Sequence, residues 1–299
     1  MYVVLGASGN TGHVVAKNLL ARGQKVRVVG RNSARLQPLA AEGAEVFIGD
    51  ITDAQALTRA LTGAAAAYVM IPPKLTSNDV RSFQERVGDA IAAAVRKAGV
   101  KHVVSLSSIG ADKASGTGPV AGLHSLEQKL NRIDGANVLH LRAGYFMENT
   151  LPQVGAIRMT GSVAGPLRPD LKLPMIATRD IGAAATDALL QLAFRGKQTQ
   201  ELLGKRDLDY SEVATIIGNG IGKPGLGYIQ MPNDQMKAVL MQMGMSEDFV
   251  RLLLEMAGAL NAGDMRALEP RSARNTTPTP YETFVAEEFV PAYQQQAAA

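Results

Sequence analysis

Three glycines spaced three apart, Gly6, Gly9 and Gly12, stand in the opening stretch "YVVLGASGNTGHVVAKNLLARGQKVRVVGRN", residues 2–32. Backbone without side chains can approach a large anion closely, and the first N–H groups of a following helix point at its charge. The pyrophosphate of a dinucleotide suits such a turn. At the far end of the stretch, Arg31 stands where NAD-selective sites carry an Asp or Glu, about 20 residues past the glycines, for the ribose hydroxyls. No carboxylate occurs between Gly30 and Leu39. Arg31 can instead fork onto a 2′-phosphate, and Asn32 or Ser33 can add a hydrogen bond. The pattern favours NADP(H) over NAD(H). A chance glycine turn and a merely solvated arginine are the competing readings.

The elements that must position these residues follow from periodicity. Tyr2 to Leu5 is a continuous apolar run, as in a strand covered on both faces. Val14, Val15, Leu19 and Leu20 share one helical face before Gly23, and Lys25 to Val29 reads as a second strand. This is the βαβ context a glycine turn needs to count as a dinucleotide site. The alternation continues with a strand at Glu45–Gly49, a helix opened by Asp53 and a strand at Ala66–Ile71. A long helix then carries Phe83, Val87, Ile91 and Val95 on one face. A strand at 102–108 follows, then a helix marked by Leu123, Leu126, Leu130 and Ile133, and a sixth strand over 137–146. Six strands alternating with helices predict an α/β Rossmann fold, a doubly wound parallel sheet that binds ligands at its carboxyl rim.

The rhythm changes after Asn149. A Gly- and Pro-rich stretch is followed by "DIGAAATDALLQL", read as a helix capped by Asp180 that returns to the sheet. The expected organisation is a Rossmann domain over 1–155 with 178–200 packing back on it. Residues 156–177 and 201–299 then form a smaller, mostly helical C-terminal lobe. Seven of the twelve methionines fall between Met231 and Met265. Core packing is the first reading for them, and pocket or interface lining the second. Thr279-Pro280-Tyr281-Glu282 has the spacing of a capping box with Pro at the first helical position.

Composition bounds the chemistry. With 299 residues, 46% of them hydrophobic, the chain can bury a sizeable core. The absence of cysteine rules out disulfides, thiol catalysis and thiolate metal sites. His13, His102 and His140 have no ligand-like spacing with carboxylates, so no metal is expected. A strand beginning at residue 2 leaves no room for a signal peptide, and no uncharged apolar run is long enough for a bilayer. A cytoplasmic protein without a membrane partner is expected. The net charge of +4 comes from scattered Lys and Arg, so no nucleic-acid partner is expected either.

In their order, "GASGNTG", "GRN", "GDITD", "RAGYFMEN" and "TRDIGAAA" resemble the NmrA-like group of atypical short-chain dehydrogenase/reductases over nearly the whole chain. The resemblance implies that NADP(H) is held by Gly6, Ser8, Gly9, Asn10, Thr11 and Gly12, with Arg31 and Asn32. It puts Asp50 and Ile51 beside the adenine, and Ile71, Pro72 and Pro73 next to the pyrophosphate and ribose. Ala143, Gly144, Tyr145 and Phe146 approach the nicotinamide. At the end of the fifth strand, Ser107 and Ser108 occupy a substrate or nicotinamide contact, unless they simply form a turn. NADPH-dependent quinone and dye reductases and a subset of redox-sensing regulators are the members most similar in pattern.

The sequence departs from the catalytic signature of ordinary short-chain dehydrogenases. Those enzymes pair Tyr with Lys four residues on, the lysine lowering the tyrosine's pKa. None of the seven tyrosines here has such a lysine; His124 stands in the tyrosine place and Gln128 in the lysine place. Alcohol–ketone interconversion and sugar epimerisation by the usual route are therefore not expected. Three catalytic candidates remain. His124 can exchange a proton near neutral pH, or be an exposed helix histidine. Tyr145 can present its hydroxyl to a carbonyl, or only pack, and Ser107 is the third. The expected activity is hydride transfer from NADP(H) to a small apolar conjugated acceptor such as a quinone, enone or dye. The alternatives are a sensor that binds NADP(H) without turnover and acts through a regulatory protein partner, and an epimerase-like enzyme. A homodimer stays open.

Overall fold

The computed structural model describes residues 1–295. Along the chain, β1 (Tyr2–Leu5), α1 (Asn10–Ala21), β2 (Val26–Gly30), α2 (Gln37–Ala41), β3 (Glu45–Ile48) and α3 (Ala54–Leu61) come first. Then follow β4 (Ala66–Val69), α4 (Val80–Ala98), β5 (His102–Ser108), α5 (Val120–Asn131) and β6 (Asn137–Ala143). The apolar faces read from the sequence are the buried ones: Phe83, Val87, Ile91 and Val95 of α4 all lie in the core. Asp53 caps α3 by accepting from Gln55 N and Ala56 N.

The sixth strand is shorter than its apolar run. Gly144 N donates to the carbonyl of Leu202, and Tyr145–Phe146 leave the sheet as β7. Next come α6 (Gln153–Thr160), β8 (Val163–Gly165), β9 (Leu173–Ile176), α7 (Thr178–Gln191) and β10 (Lys197–Leu202). The central sheet has seven strands, not six, in the order β10-β6-β5-β4-β1-β2-β3, with every pair parallel. The unforeseen strand is β10, "KQTQEL", whose first three residues are exposed at the sheet edge. Helix α7 packs on α1. Its start differs from the expectation: Thr178 N and Oγ1 donate to Glu148 Oε1 at 2.9 and 2.6 Å. Asp180, in the first turn of the helix, accepts from Thr279 N and Oγ1 at 3.0 and 2.7 Å and so ties the C-terminal segment to α7.

The remaining elements are β11 (Asp207–Leu208), α8 (Tyr210–Gly220), β12 (Tyr228–Gln230), α9 (Asn233–Gln242), α10 (Glu247–Asn261), α11 (Tyr281–Phe284) and, after a π-helical stretch at Val285–Phe289, α12 (Val290–Gln295). Two small sheets, β11-β9-β7 and β12-β8, belong to this lobe. A second core of Met147, Ile157, Met175, Val213, Ile217, Phe284 and Phe289 holds it together. No capping box forms at 279–282, because Thr279 is taken by Asp180 and Glu282 Oε1 accepts from Arg206. The methionine reading is also corrected. None of the residues of α9 is buried, Met241 and Met243 are exposed, and of the seven methionines only Met265 is in the core.

The lobe grips the carboxyl rim through α10. Val80 N donates to Asp248 Oδ2 at 2.8 Å, and Ser246 N to the carbonyl of Leu75 at 2.9 Å. Phe249 and Leu252 bury themselves against Val80. A β-carbon at Gly118 would stand 2.1 Å from the carbonyl oxygen of Leu252, so the loop after β5 also meets α10 backbone to backbone. Both rim loops are thereby fixed from above.

Candidate functional site

The sheet order reverses between β4 and β1, and at such a switch point the carboxyl ends of the two strands flank a crevice. Here they touch: a β-carbon at Gly6 would stand 2.7 Å from Met70 Sδ, and Gly6 has the left-handed φ of +68°. Gly9, in extended backbone, precedes α1 without any side-chain cap, and the first turn of α1 holds no acidic residue. The first backbone bond of the helix runs from His13 N to the carbonyl of Gly9, at 3.0 Å. The N–H groups of Asn10, Thr11 and Gly12 are thus left for a guest. A β-carbon at Gly9 would meet only the Gly6 carbonyl, at 3.4 Å, and otherwise fill open space. Ser8 is half-buried and Asn10 exposed beside it. The cradle fits a pyrophosphate: uncapped donors, no repelling charge, and room that a side chain would take. Thr11 differs from its neighbours. It is buried, and its hydroxyl accepts from Tyr68 at 2.8 Å, so only its backbone can face the cradle.

Arg31 and Asn32, past β2, are exposed, and Arg31 enters no ion pair with a described residue. Asp50, at the end of the neighbouring β3, accepts from Thr52 N and Oγ1 at 2.8 and 2.7 Å. Those two bonds hold its carboxyl below the usual range, with smaller help from Arg31 and Lys74. Ile51 is half-buried next to it. After β4, Ile71 is buried, Pro72 half-buried and Pro73 exposed. Cofactor candidates from four separate stretches of chain thus share one rim.

On the other side of the switch point the candidates separate. Ser108 and Ala143 are register partners at the ends of β5 and β6. Ser108 is half-buried, and its hydroxyl donates to the carbonyl of Ile109. Ser107 is 2% exposed and donates to Glu127 Oε1 at 2.6 Å, and Glu127 receives the Arg142 guanidinium in a fork at 3.0 and 2.7 Å. This serine is committed beneath α5 and does not reach the rim as a substrate contact. His124 is half-buried, with Nδ1 2.8 Å from the carbonyl of Ala111. A carbonyl only accepts, so Nδ1 carries the proton, and Nε2 has no partner among the described residues. Gln128, in the lysine place, is exposed.

Gly144 is a packing glycine, since a β-carbon there would stand 2.2 Å from the carbonyl of Pro174. Beyond it Phe146 packs into the sheet core and Tyr145 against the lobe. The Tyr145 hydroxyl lies 3.0 Å from that of Tyr210, whose ring centroid is 4.9 Å from the ring of Tyr228. Burial pushes both the Tyr145 and the Tyr210 phenols up, so both stay protonated across the physiological range. Tyr210 and Tyr228 escaped the sequence reading, because nothing local marks a lobe tyrosine as a neighbour of residue 145.

The NmrA-like family matches residues 2–289 of this chain. The chain belongs to that family. It is 28% identical over 293 residues to an NAD(P)H azoreductase from Xenophilus azovorans, with 98% of each chain covered. Its fold is similar to that of an NADPH-dependent quinone oxidoreductase from Escherichia coli solved with NADPH. There the TM-score is 0.79 and the identity 24%, over 98% of this chain and 100% of that one. It is similar as well to a triphenylmethane reductase from Citrobacter sp. solved with NADP(H). That TM-score is 0.79 at 19% identity, over 97% of this chain and 100% of the other. No helix of the described residues is long and apolar enough to cross a membrane.

Proposed function

We propose that this chain is an NADPH-preferring oxidoreductase that reduces an apolar conjugated acceptor of the quinone, enone or dye class. One observation carries the choice of acceptor: the Tyr145 hydroxyl is paired with the neutral phenol of Tyr210, and position 128 is an exposed glutamine where an ordinary short-chain dehydrogenase has its lysine. Azo and quinone reductases among the relatives support the same class. The glycine turn, Arg31, Asn32 and the Ile71–Pro73 segment would hold the cofactor, which supplies the hydride when bound.

The chain's own part is to orient the acceptor, exclude water and offer one hydrogen. Tyr210 is 5% exposed and has Tyr145 as its hydrogen-bond partner. Two hydroxyls share one bond, so one O–H is uncommitted. Among the described residues the deeper phenol has no other acceptor, and it is satisfied by donating to the Tyr145 oxygen. Tyr145, half-buried, then keeps its own O–H for the acceptor's oxygen or nitrogen, and the incoming bond polarises it. A hydroquinone anion is stabilised enough to need no stronger acid, which suits a site without a lysine partner.

The test is a panel of quinones, enones and azo or triphenylmethane dyes with purified protein and excess NADPH. Multiple turnovers with members of this panel are expected. Tight NADPH binding with no turnover of any acceptor would sink the proposal and leave a cofactor sensor.

A further inference from the structure

The chain between β12 and α10 is tied to both sides of the site. At one end the ring of Tyr228 lies 4.9 Å from that of Tyr210, the partner of Tyr145, and Met231 N donates to the carbonyl of Gly165 at 2.8 Å. At the other end Ser246 N donates to the carbonyl of Leu75 at 2.9 Å, and the Ser246 hydroxyl donates to the carbonyl of Ser77. Met245 packs there against Val80, Phe249 and Leu252. Leu75 and Ser77 belong to the loop that continues from Ile71–Pro73. Residues 232–244, with α9 among them, thus run from the tyrosine side of the crevice to the loop after β4.

What lies between the anchors is apolar and uncommitted. None of residues 232–244 is buried, and Met236, Val239, Leu240, Met241 and Met243 pack against none of the hydrophobic cores. Met243 is 55% exposed, whereas Met236 and Leu240, about one turn apart, are half-buried. Among the described residues, one hydrogen bond leaves the segment for another element, from Lys237 Nζ to Glu247 Oε1 in the first turn of α10. Helix α9 has 10 residues and no side-chain cap. At about 15 Å long it is marginal without tertiary packing. Gly244, just past it, has a φ of +86° with open space around it, a joint that a side chain would strain. A segment held in this way belongs to the low end of local stability.

We propose that residues 232–244 are a strap that closes over a bound aromatic acceptor, with Met236 and Leu240 supplying its apolar cover. The occupant is a flat conjugated ring system, because the two anchors sit on the walls between which such a ring must lie, and thioethers make favourable contacts with aromatic rings. Closure removes the water that an open rim leaves beside the acceptor. Unbranched methionine adapts to rings of different outline, so the strap gives the site a broad acceptor range. The identity of the ring rests on the reductase reading, whereas closure is a property of the strap.

The experiment follows the strap with the hydride withheld. Wild-type protein saturated with NADP⁺ is titrated calorimetrically with menadione and, separately, with crystal violet. Each complex is then mapped by amide hydrogen exchange and by peroxide oxidation of methionine. Exchange over residues 233–243 should slow about tenfold or more once ligand binds. Oxidation of Met236 should fall as well, while Met159, 87% exposed on α6, keeps its rate as the internal reference. Leu240→Glu should weaken both ligands about tenfold, the scale of burying one apolar side chain, and leave NADPH affinity and the melting temperature unchanged. A ligand that binds yet alters neither exchange nor Met236 oxidation would overturn the proposal without any variant having to fold. So would unchanged affinities in Leu240→Glu, or protection that follows protein concentration instead of ligand and so marks a contact between copies. Binding of neither ligand would remove the strap and the reductase reading together. Protection without turnover, once NADPH replaces NADP⁺, would refute the reductase reading alone.

Discussion

A β-carbon on Gly12 would stand 2.4 Å from the carbonyl oxygen of Gly6, whereas one on Gly9 would meet that same oxygen at 3.4 Å. The two glycines therefore serve different ends, close helix–strand packing at Gly12 and space for a ligand at Gly9. Gly12→Ala should cost about 1–3 kcal/mol of stability through forced displacement of the turn. Gly9→Val should keep the circular-dichroism spectrum and the melting temperature but lose NADPH binding. If Gly9→Val bound NADPH normally, the phosphate cradle would have to lie elsewhere.

Arg31 is the residue proposed to govern cofactor choice. It is exposed and enters no ion pair with a described residue, so its guanidinium is available to a 2′-phosphate. NADPH should bind at least tenfold more tightly than NADH, about 1.4 kcal/mol, and Arg31→Ala should erase most of that difference. The chain has no tryptophan, so nicotinamide fluorescence can be followed without indole emission. Equal wild-type affinities for the two cofactors would dispose of the assignment.

Tyr145 and Tyr210 should differ in how much they matter. Tyr145→Phe removes the O–H offered to the acceptor and should lower kcat for enones by about 10²-fold, and for quinones far less. Tyr210→Phe removes only the supporting bond, and a loss of about three- to tenfold on enones is expected, with NADPH affinity unchanged. Equal losses from both variants on every acceptor would mean that the pair is there for packing.

His124 separates two roles by acceptor class. If Nε2 helps protonate a basic product anion, His124→Ala should slow simple enones by about 10²-fold or more while leaving quinones nearly untouched. A uniform loss across both classes would show that its contribution is the bond from Nδ1 to Ala111, which fixes the loop after β5.

His140 makes stability depend on pH. Its Nε2 donates to Asn131 Oδ1 at 2.9 Å, and its buried Nδ1 has no partner among the described residues, so a second proton would have no acceptor. Burial holds its pKa down to about 4, with Arg142 and Lys197 adding to the effect and Glu127 opposing it. The folded value lies below the unfolded 6.5, so the unfolded chain binds more protons in that window. Stability is therefore full above about 6.5 and falls as pH drops toward 4. His140→Gln should lose on the order of 2–3 kcal/mol less than wild type between pH 7 and about 4.5. Urea midpoints at a series of pH values measure it, and parallel curves for the two proteins would contradict it.

Much of the Rossmann unit was legible because its signals are local. The glycine turn, the Asp53 cap and the one-sided apolar faces of α3 and α4 each lie within a few turns of chain. What escaped was set by contacts between distant residues. Strand β10 is polar and half-exposed because it closes an edge, so it lacks the apolar run that marked the others. Asp180 and Thr279 each had the local look of a helix cap and found each other instead. The methionines of α9 had the composition of a core, yet no residue of that helix is buried. At the site, an uncapped glycine turn before α1 and an exposed Arg31 could be expected from the chain, but Ser107 could not be known to face Glu127.

The placement of β10 also bears on how the protein is made. The sheet's edge strand is read out only after the chain has passed through β7, α6, β8, β9 and α7, and β7 and β9 pair in the lobe, not in the sheet. A nascent chain stopped at Ala143 would carry six strands with β6 as a bare edge, its N–H and C=O groups open to any passing strand. Synthesis must reach Leu202 before that edge is covered, so the first half of the polypeptide emerges with an exposed template for mispairing. Slow codons or a stall between residues 143 and 202 would prolong that window, and a chaperone would find its natural client there.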